Sequence, residues 1–421
     1  MQYNVLDHGA IADGKTLNTK AIQTAIDQCF LAGGGEVTVP TGIFLTGGLR
    51  LRSGVTLHLL ENAVLLGSVD LEDYFGYKED EIEPISEEEQ SAKVPTALPE
   101  SDSASVYPFS RWNNALIRAY RAKDIAIIGE NGSEINGQNC YDSEGEEHYR
   151  GPHAMNMWYC ENIPLRGYTV RDSANWAHAI QNSQNITVKG ITVLAGHDGF
   201  DVRTCDNISI EDCTFKTGDD CIAGFDNIDI TVRNCYFESS CSILRFGGTN
   251  MLVEDCVGIS PATYGFRGHL SAEEKKNRVP TTEKCRHSCL NVLLYYCDKR
   301  ANIRRTPGNI LIRNSRFKNP DSVMRLPFGH IWCCNRSLES VTFENCTVDG
   351  VSIPIQLKCP ENEPITLTMK NCAVTPREGF EGIAFLEGEN VKRITFERVT
   401  MENFLDPKIL CNPETELLIT E

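Results

Sequence analysis

The sequence reads NITVKGITV at residues 185–193, NISIEDCTF at residues 207–215 and DITVRNCYF at residues 229–237. Each unit opens with Asn or Asp, continues with alternating apolar residues, and reaches a second short apolar run after two polar residues. Related units start at Asn162 and Asn250, so successive starts are separated by 23, 22, 22 and 21 residues. More widely spaced units start at residues 309, 340, 366 and 393. A period of this length indicates a repeat architecture.

The alternation within each unit predicts a short β-strand, and the Asn, Asp and Gly residues between strands predict turns. One strand cannot bury its inner face alone, whereas parallel stacking of successive units at ~4.8 Å buries it. We therefore predict an all-β fold, a single-stranded right-handed parallel β-helix. A leucine-rich repeat has a similar period but needs a leucine-rich consensus that these units lack. Cys213, Cys235 and Cys256 share one position in their units, which predicts an interior ladder of buried thiols.

The segments outside the repeats predict a cap and two insertions on a single domain, residues 1–421. Residues 18–30, NTKAIQTAIDQCF, carry apolar residues at helical spacing. A short amphipathic helix there would cap the open end of the solenoid, which otherwise exposes its core and its strand edges. Residues 70–107 and 268–308 interrupt the coils, and long insertions of this kind often wall a cleft.

Composition restricts the class of protein. The net charge of −18 argues against nucleic-acid binding, because phosphates would be repelled. No apolar stretch reaches the length of a membrane span, and the N-terminal residues lack the basic and apolar regions of a signal peptide. Eighteen cysteines in such a chain predict free thiols and a cytoplasmic location. Their spacing fits neither a disulfide framework nor a zinc site, so no metal and no cofactor is expected.

Aspartates fall in register on the repeat. The segments GHDGFD (196–201) and TGDDCIAG (217–224) lie one period apart, since Asp198 and Asp220 are separated by 22 residues. Stacked coils therefore bring four carboxylates into one small region: Asp198, Asp201, Asp219 and Asp220. A strand would send the neighbours Asp219 and Asp220 to opposite faces, whereas a turn lets both face outward. Clustered carboxylates repel, which raises the pKa of at least one and supplies the acid and base pair that glycoside hydrolysis requires.

With these residues the sequence resembles glycoside hydrolase family 28, the polygalacturonase family, within the pectin-lyase-like β-helices. The resemblance runs from about residue 3 to about residue 270. It is carried by YNVLDHGAIADGKTLNTKAIQTAID (3–27), by NALIRAYRAKDIAIIG (114–129) and most specifically by TGDDCIAG. The resemblance implies that Asp219 is the general acid, and that Asp198 and Asp220 activate water, which gives inversion at the anomeric carbon.

The chain departs from the family's motifs beside these aspartates. The NTD motif is GHD here, which places His197 next to Asp198, and the GHG motif is SCS, which places Cys241 where the family has histidine. The RIK motif best matches RGH, which keeps Arg267 and places His269 at the lysine position. Contacts with the sugar are predicted for six residues in or near these coils: His197, Arg267, His269, Asp201, Arg245 and Trp176.

These observations favour a glycosidase that acts, in an exo mode, on a short pectin-derived or related oligosaccharide. A second hypothesis is a polysaccharide lyase or epimerase on the same scaffold, in which Asp198, Asp219 and Asp220 would hold Ca²⁺. A third is a non-catalytic, carbohydrate-binding β-helix in which the altered motifs mark lost chemistry. The expected partner in every case is a carbohydrate, with no nucleic acid and no membrane, and the sequence leaves the oligomeric state open.

Overall fold

The computed structural model describes residues 1–74, 110–144 and 150–420. The chain forms two compact units. The first comprises Met1–Ile186, Ile191–His197 and Gly268–Thr281, and the second comprises Thr187–Gly190, Asp198–Arg267 and Thr282–Glu421. The predicted single domain over residues 1–421 stays a prediction. Most of the predicted insertion at 70–107, from residue 75 onward, lies outside the described residues.

The first unit contains an N-terminal helix and stacked parallel strands. The helix spans Thr19–Leu31, and its buried face consists of Ile22, Ala25, Ile26 and Cys29, so the predicted helix is confirmed. A shorter helix spans Ala272–Lys276 and begins with a capping box formed by Ser271 and Glu274. The strands are Gln2–Asn4, Gly35–Val39, Gly42–Thr46, Leu49–Arg50, Val55–Leu59, Ala63–Gly67, Ala115–Tyr120, Ala126–Gly129, Glu134–Asn136, His153–Trp158, Glu161–Arg166, Thr169–Arg171, His178–Gln181, Gln184–Lys189 (its last residues fall in the second unit) and Thr192–Ala195.

The second unit consists of parallel strands joined by turns and loops. Its strands are Phe200–Arg203, Asp206–Glu211, Thr214–Thr217, Ile222–Arg233, Tyr236–Ser239, Ser242–Glu254, Val257–Ile259, Asn291–Tyr295, Gly308–Arg313, Arg316–Lys318, Ser322–Pro327, Ser340–Glu344, Thr347–Val351, Ile355–Lys358, Thr366–Lys370, Ala373–Pro376, Leu386–Glu389, Arg393–Glu397, Ile409–Cys411 and Glu416–Thr420. Short 3-10 turns elsewhere in the chain span Val5–His8, Leu71–Asp73, Arg111–Asn113 and Arg267–His269.

Strands of the second unit stack in columns, and one column is formed by the sequence repeats. Ile208 pairs in register with Ile230, which pairs with Met251, which pairs with Ile310. The same column continues through Val341, Leu367 and Ile394. These residues are the first apolar position of each repeat, so the predicted parallel stacking is confirmed. Their side chains are buried, and burial of such apolar surface is the main force that holds the coils together.

The Asn or Asp that opens a repeat has a conformational role. Asn185, Asn207, Asp229, Asn250 and Asn309 have φ angles of 58°, 55°, 60°, 60° and 54°. This left-handed region is unfavourable for most residues but tolerated by Asn and Asp. The side chains also bond from coil to coil: Asn250 Nδ2 donates to Asp229 Oδ1 at 2.8 Å, and Asn309 Nδ2 donates to Asn250 Oδ1 at 2.8 Å. The repeat therefore encodes both the turn and the ladder beside it.

The cysteines are free thiols, and most of them are buried. The thiol of Cys235 contacts the thiols of Cys213 and Cys256, which confirms the predicted ladder. The Cys213 thiol, followed by the Cys256 thiol and by burial, raises the pKa of Cys235, so its sulfur remains protonated and packs as a small apolar group.

The segment predicted as a second insertion, residues 268–308, contains regular structure. Besides the helix Ala272–Lys276, it includes the strand Asn291–Tyr295, which pairs with Ser242–Glu254 on one side and with Ser322–Pro327 on the other. Of the helices that the structure describes, none has the length and apolar content needed to span a bilayer. Parallel strand stacking together with the N-terminal helix confirms the predicted fold class, a right-handed parallel β-helix.

Candidate active site

The aspartate pair Asp219–Asp220 lies in a bend between the strands Thr214–Thr217 and Ile222–Arg233. The hydroxyls of Thr217 and Ser239 each donate to the carbonyl oxygen of Asp219 at 2.8 Å, which holds the bend. A carboxylate oxygen of each aspartate and the sulfur of Cys241 lie within 4.8 Å of one another. The sequence left open whether the two side chains diverge, and the bend brings them to the same side.

Asp198 lies one coil away from Asp220, in the equivalent position. The strand that follows Asp198 pairs in register with the strand that follows Asp220, with Phe200 opposite Ile222. The backbone amide of Asp220 donates to Asp198 Oδ1 at 3.3 Å, and the amide of Ser242, one coil further, donates to Asp220 Oδ1 at 2.9 Å. The predicted stacking of residues 22 apart is thereby confirmed for this pair.

The three carboxyl groups differ in exposure, and the two most buried ones have a raised pKa. Asp198 and Asp220 are buried, with 1% and 0% of their surface exposed, whereas Asp219 is half-buried. Burial, followed by repulsion from Asp219 and Asp220, raises the pKa of Asp198 well above its usual range. Burial and the Asp219 carboxylate also raise the pKa of Asp220, to about 6, although Arg245 opposes the shift. The cluster therefore holds at least one proton near neutral pH.

Arg245 provides the positive charge beside this cluster. It lies in register with Ala223 on the neighbouring strand, and its Nη1 atom is 3.5 Å from Asp220 Oδ2. Its guanidinium carbon lies 4.1 Å from the ring centroid of Tyr296 and 4.6 Å from that of Trp332. The two rings meet edge to face, with their centroids 6.2 Å apart, so the guanidinium lies in the angle between them. Cation–π attraction to both rings stabilises this arrangement.

Two further ion pairs surround Tyr296. Arg203 and Asp201 form a buried, two-pronged pair, with N–O distances of 2.8 and 3.2 Å. Arg300 binds Asp298 and donates to the hydroxyl of Tyr296 at 2.7 Å, and that hydroxyl donates to Asp298 Oδ2 at 3.0 Å. Both carboxylate oxygens of Asp201 bind Arg203, so in this structure Asp201 is the charge partner of that arginine. The predicted contact of Asp201 with a sugar stays a prediction.

The remaining predicted residues lie in different surroundings. Trp176 is 6% exposed and packs in an aromatic cluster, 4.7 Å from Trp112 and 5.3 Å from His153 between ring centroids. His197 is buried, and both residues belong to the first unit. Arg267 and His269 share a 3-10 turn in which Arg267 is buried and His269 is exposed. Contact of these four residues with a substrate stays a prediction.

Sequence reasoning did not assign Tyr296, Trp332 or Arg300 to the site. Trp332 lies in the irregular segment HIWCCN, residues 330–335. The structure places its ring 4.6 Å from the guanidinium carbon of Arg245, so this segment forms part of the surroundings of the site. An aromatic residue in an irregular segment after a repeat strand was the available signal. The sequence could not pair Trp332 with Arg245, because the two residues are 87 positions apart in the chain.

Asp219, Asp220 and Cys241 also form the group of potential metal ligands in the described part of the chain. Two carboxylates suit a hard cation such as Ca²⁺, whereas a thiol suits a softer one. Burial raises the pKa of Cys241 well above its usual range, with a further contribution from Asp220. A protonated thiol is a poor ligand, so the donor set fits a proton-sharing cluster better than a metal centre.

Comparison with known proteins supports the resemblance. Residues 103–257 match the family model "Glycosyl hydrolases family 28". The matched segment contains all three aspartates and Arg245. The chain is 33% identical over 232 residues to a probable polygalacturonase of Vitis vinifera, covering 52% of this chain and 43% of that protein. It is 28% identical over 251 residues to an exo-poly-alpha-D-galacturonosidase of Dickeya chrysanthemi, covering 52% and 41%. The predicted similarity to this family is confirmed, and the chain spans less than half the length of these two relatives.

The fold has a close structural counterpart. The crystal structure of a hyperthermoactive exopolygalacturonase from Thermotoga maritima superposes with a TM-score of 0.67 at 18% identity, covering 95% of this chain and 91% of that one. At this level of identity the similarity concerns the fold. Function must be argued from the site itself.

Proposed function

We propose that this protein is a glycoside hydrolase that acts on oligosaccharides containing uronic acids, of the pectin-derived kind. The observation that carries the proposal is the cluster of Asp198, Asp219 and Asp220 on adjacent coils, with Arg245 clamped beside it. A protonated and an ionised carboxyl group in one site supply the acid and base of glycosidic cleavage. The family match over residues 103–257 and the names of the two relatives support the reaction and the substrate class.

The roles of the aspartates follow from exposure and from the resemblance. Asp219 is the most accessible of the three and donates the proton to the leaving oxygen. Asp198 and Asp220, buried and joined through the Asp220 amide, hold the attacking water, and the ionised form of Asp220 accepts its proton. Inversion rests on the resemblance, because the oxygens of Asp219 and Asp220 lie within 4.8 Å, closer than the ~6.5–9.5 Å usual for inverting enzymes.

Arg245 is the residue that we assign to recognition of the sugar's carboxylate. Its planar guanidinium matches carboxylate geometry, and Tyr296 and Trp332 hold it in place. Exo action is supported by the similarity to the exo-poly-alpha-D-galacturonosidase of Dickeya chrysanthemi. The cytoplasmic location expected from the sequence stays a prediction.

The experiment that tests this proposal is product analysis by mass spectrometry and NMR. Wild type and Asp219→Asn are incubated with oligogalacturonides, with the same oligosaccharides carrying reduced carboxyl groups, and with neutral oligosaccharides. Products that gain the mass of water, form only from the acidic series, and disappear with Asp219→Asn are expected. Monomer as the first product indicates exo action, and its initial anomer, read by NMR, reports inversion or retention. Products that lack the added water and absorb in the ultraviolet would instead show a lyase, and no turnover in any series would overturn the proposal.

A further inference from the structure

The face that carries Arg245 continues along the second unit beyond the aspartate cluster. Arg245 pairs in register with Leu294, Leu294 with Arg325, and Arg325 with Gln356. Gln356 in turn pairs with Glu387. In parallel strands, residues in register project to the same face. The buried neighbours of Arg245 and Arg325 along their strands show that this row faces outward.

Arg325 lies two strands from Arg245 in this row, which is roughly 10 Å at the usual strand spacing. Its Nε atom is buried and has no hydrogen-bond partner among the residues that the structure describes. The Arg325 side chain as a whole is partly exposed and lines a cavity, so its guanidinium is available to an anionic oxygen bound there. Neither Arg325 nor Lys358 forms an ion pair with any residue in the described ranges 1–74, 110–144 and 150–420.

A cavity of about 380 Å³ opens beside Arg325. The charged and polar residues that line it are Arg325, Gln356, Lys358, Glu387 and Glu389. Both cations come from the strands nearer to Arg245, whereas both carboxylates come from the following strand, Leu386–Glu389. An acidic group is thus attracted to the near half of the cavity and repelled by the far half. The charge pattern suits one carboxylated sugar and disfavours another beyond it.

We propose that Arg325 and Lys358 form a second binding subsite, which takes one uronic-acid unit of an oligosaccharide whose scissile bond lies at the aspartate cluster. The inference rests on the proposed function, since the occupant is the distal part of the same substrate. Three observations support this occupant: the row continues from Arg245, a cavity opens beside Arg325, and the two cations form no ion pair with any described residue. Glu387 and Glu389 set the outer limit of the bound chain, so the subsite confers a preference for a defined chain length.

The test compares chain lengths in the full protein. Values of kcat/KM are measured from digalacturonate to hexagalacturonate for wild type, Arg325→Gln and Lys358→Gln. Arg316→Gln is the matched control, because Arg316 is an exposed arginine on another strand column of the same unit and lines no part of this cavity. Loss of a hydrogen bond to a charged group predicts a decrease of about tenfold or more for the long oligomers. Digalacturonate, which is too short to span both sites, should be cleaved at the wild-type rate.

A binding measurement separates failure of the subsite from failure of the proposed reaction. Calorimetry with Asp219→Asn, alone and combined with Arg325→Gln, measures affinity for hexagalacturonate without turnover. Weaker binding in the double variant supports the subsite even if wild type hydrolyses no oligogalacturonide. Equal affinities, or an equal loss of activity for every chain length, would overturn it. Circular dichroism and the thermal midpoint verify that each variant folds.

Discussion

The backbone amide of Asp220 donates a hydrogen bond to Asp198 Oδ1 across 3.3 Å, which joins two carboxyl-bearing residues on adjacent coils. The bond favours the ionised form of Asp198, while burial and the neighbouring carboxylates favour the protonated form more strongly. The coil period thus creates a proton-sharing cluster from residues that are 22 positions apart in the chain.

Replacement of Asp219 by Asn removes a carboxyl group with almost no change in size. Because general acid catalysis contributes roughly 10²–10⁴-fold, we expect kcat to fall by about that factor with little change in KM. Steady-state kinetics on oligogalacturonides measure this effect. Asp229→Asn is the control, since Asp229 is an exposed residue of the repeat and Asn occupies the equivalent position in other coils. Equal losses in both variants would point to a folding defect.

The pH dependence of hydrolysis reports the charge on the cluster. Burial and Asp219 raise the pKa of Asp220 to about 6, and Arg245 lowers it. In the proposed roles Asp220 acts as a base and must be ionised, so activity should increase as the pH rises through about 6. Arg245→Met removes the charge that favours ionisation and should shift this limb to higher pH, whereas Arg245→Lys should shift it less. Profiles of kcat against pH test this, and an unchanged limb in Arg245→Met would contradict it.

The same pKa has a consequence for stability. The folded pKa of Asp220 exceeds the unfolded value of ~3.9, so the folded state binds more protons than the unfolded state between about pH 4 and 6. The ionisation of Asp220 therefore lowers the free energy of unfolding as the pH rises through that window. Asp220→Asn should be more stable relative to wild type at pH 7 than at pH 4, measured by denaturant midpoints. A difference independent of pH would show that the shift is absent.

Trp332 tests whether the aromatic clamp on Arg245 matters for function. A desolvated cation–π contact contributes about 2 kcal/mol, so Trp332→Ala should lower kcat/KM by up to about 30-fold, mainly through KM. Trp332→Phe keeps a ring in the same place and should retain most of the activity. The half-buried position of Trp332 predicts a small change in thermal midpoint. Equal kinetics in the alanine variant and wild type would show that Tyr296 alone holds the guanidinium.

The coil-to-coil ladder predicts a conformational effect at Asn250. Asn250→Ala places alanine at φ 60° and removes two side-chain hydrogen bonds, which should destabilise the folded state by about 1–2 kcal/mol or more. Asn250→Gly removes the same bonds but accepts the angle, so it should be less destabilised. Denaturation midpoints compare the two variants. If glycine were as destabilising as alanine, the hydrogen bonds rather than the φ angle would account for the role of Asn250.

The repeat determined much of the fold in advance, because period-two alternation and a period near 22 residues leave few ways to bury the inner faces. The paired positions Ile208, Ile230 and Met251 follow directly from it. The N-terminal helix was equally predictable from the sequence, since its apolar residues lie at helical spacing. The same period predicted that Asp198 and Asp220 are neighbours, because residues one coil apart must stack.

Other features depended on the tertiary structure. A bend, which no local pattern required, decided that Asp219 and Asp220 face the same side. Tyr296 and Trp332 reach Arg245 from irregular segments whose paths no period constrains. Asp201 forms an ion pair with Arg203, two residues away. Residue spacing alone does not show whether such a pair is buried or exposed. The sequence by itself determined the coils and the aspartate register, because both follow from periodic burial, whereas the tertiary structure decided the charges and rings around them, because long-range packing sets those contacts.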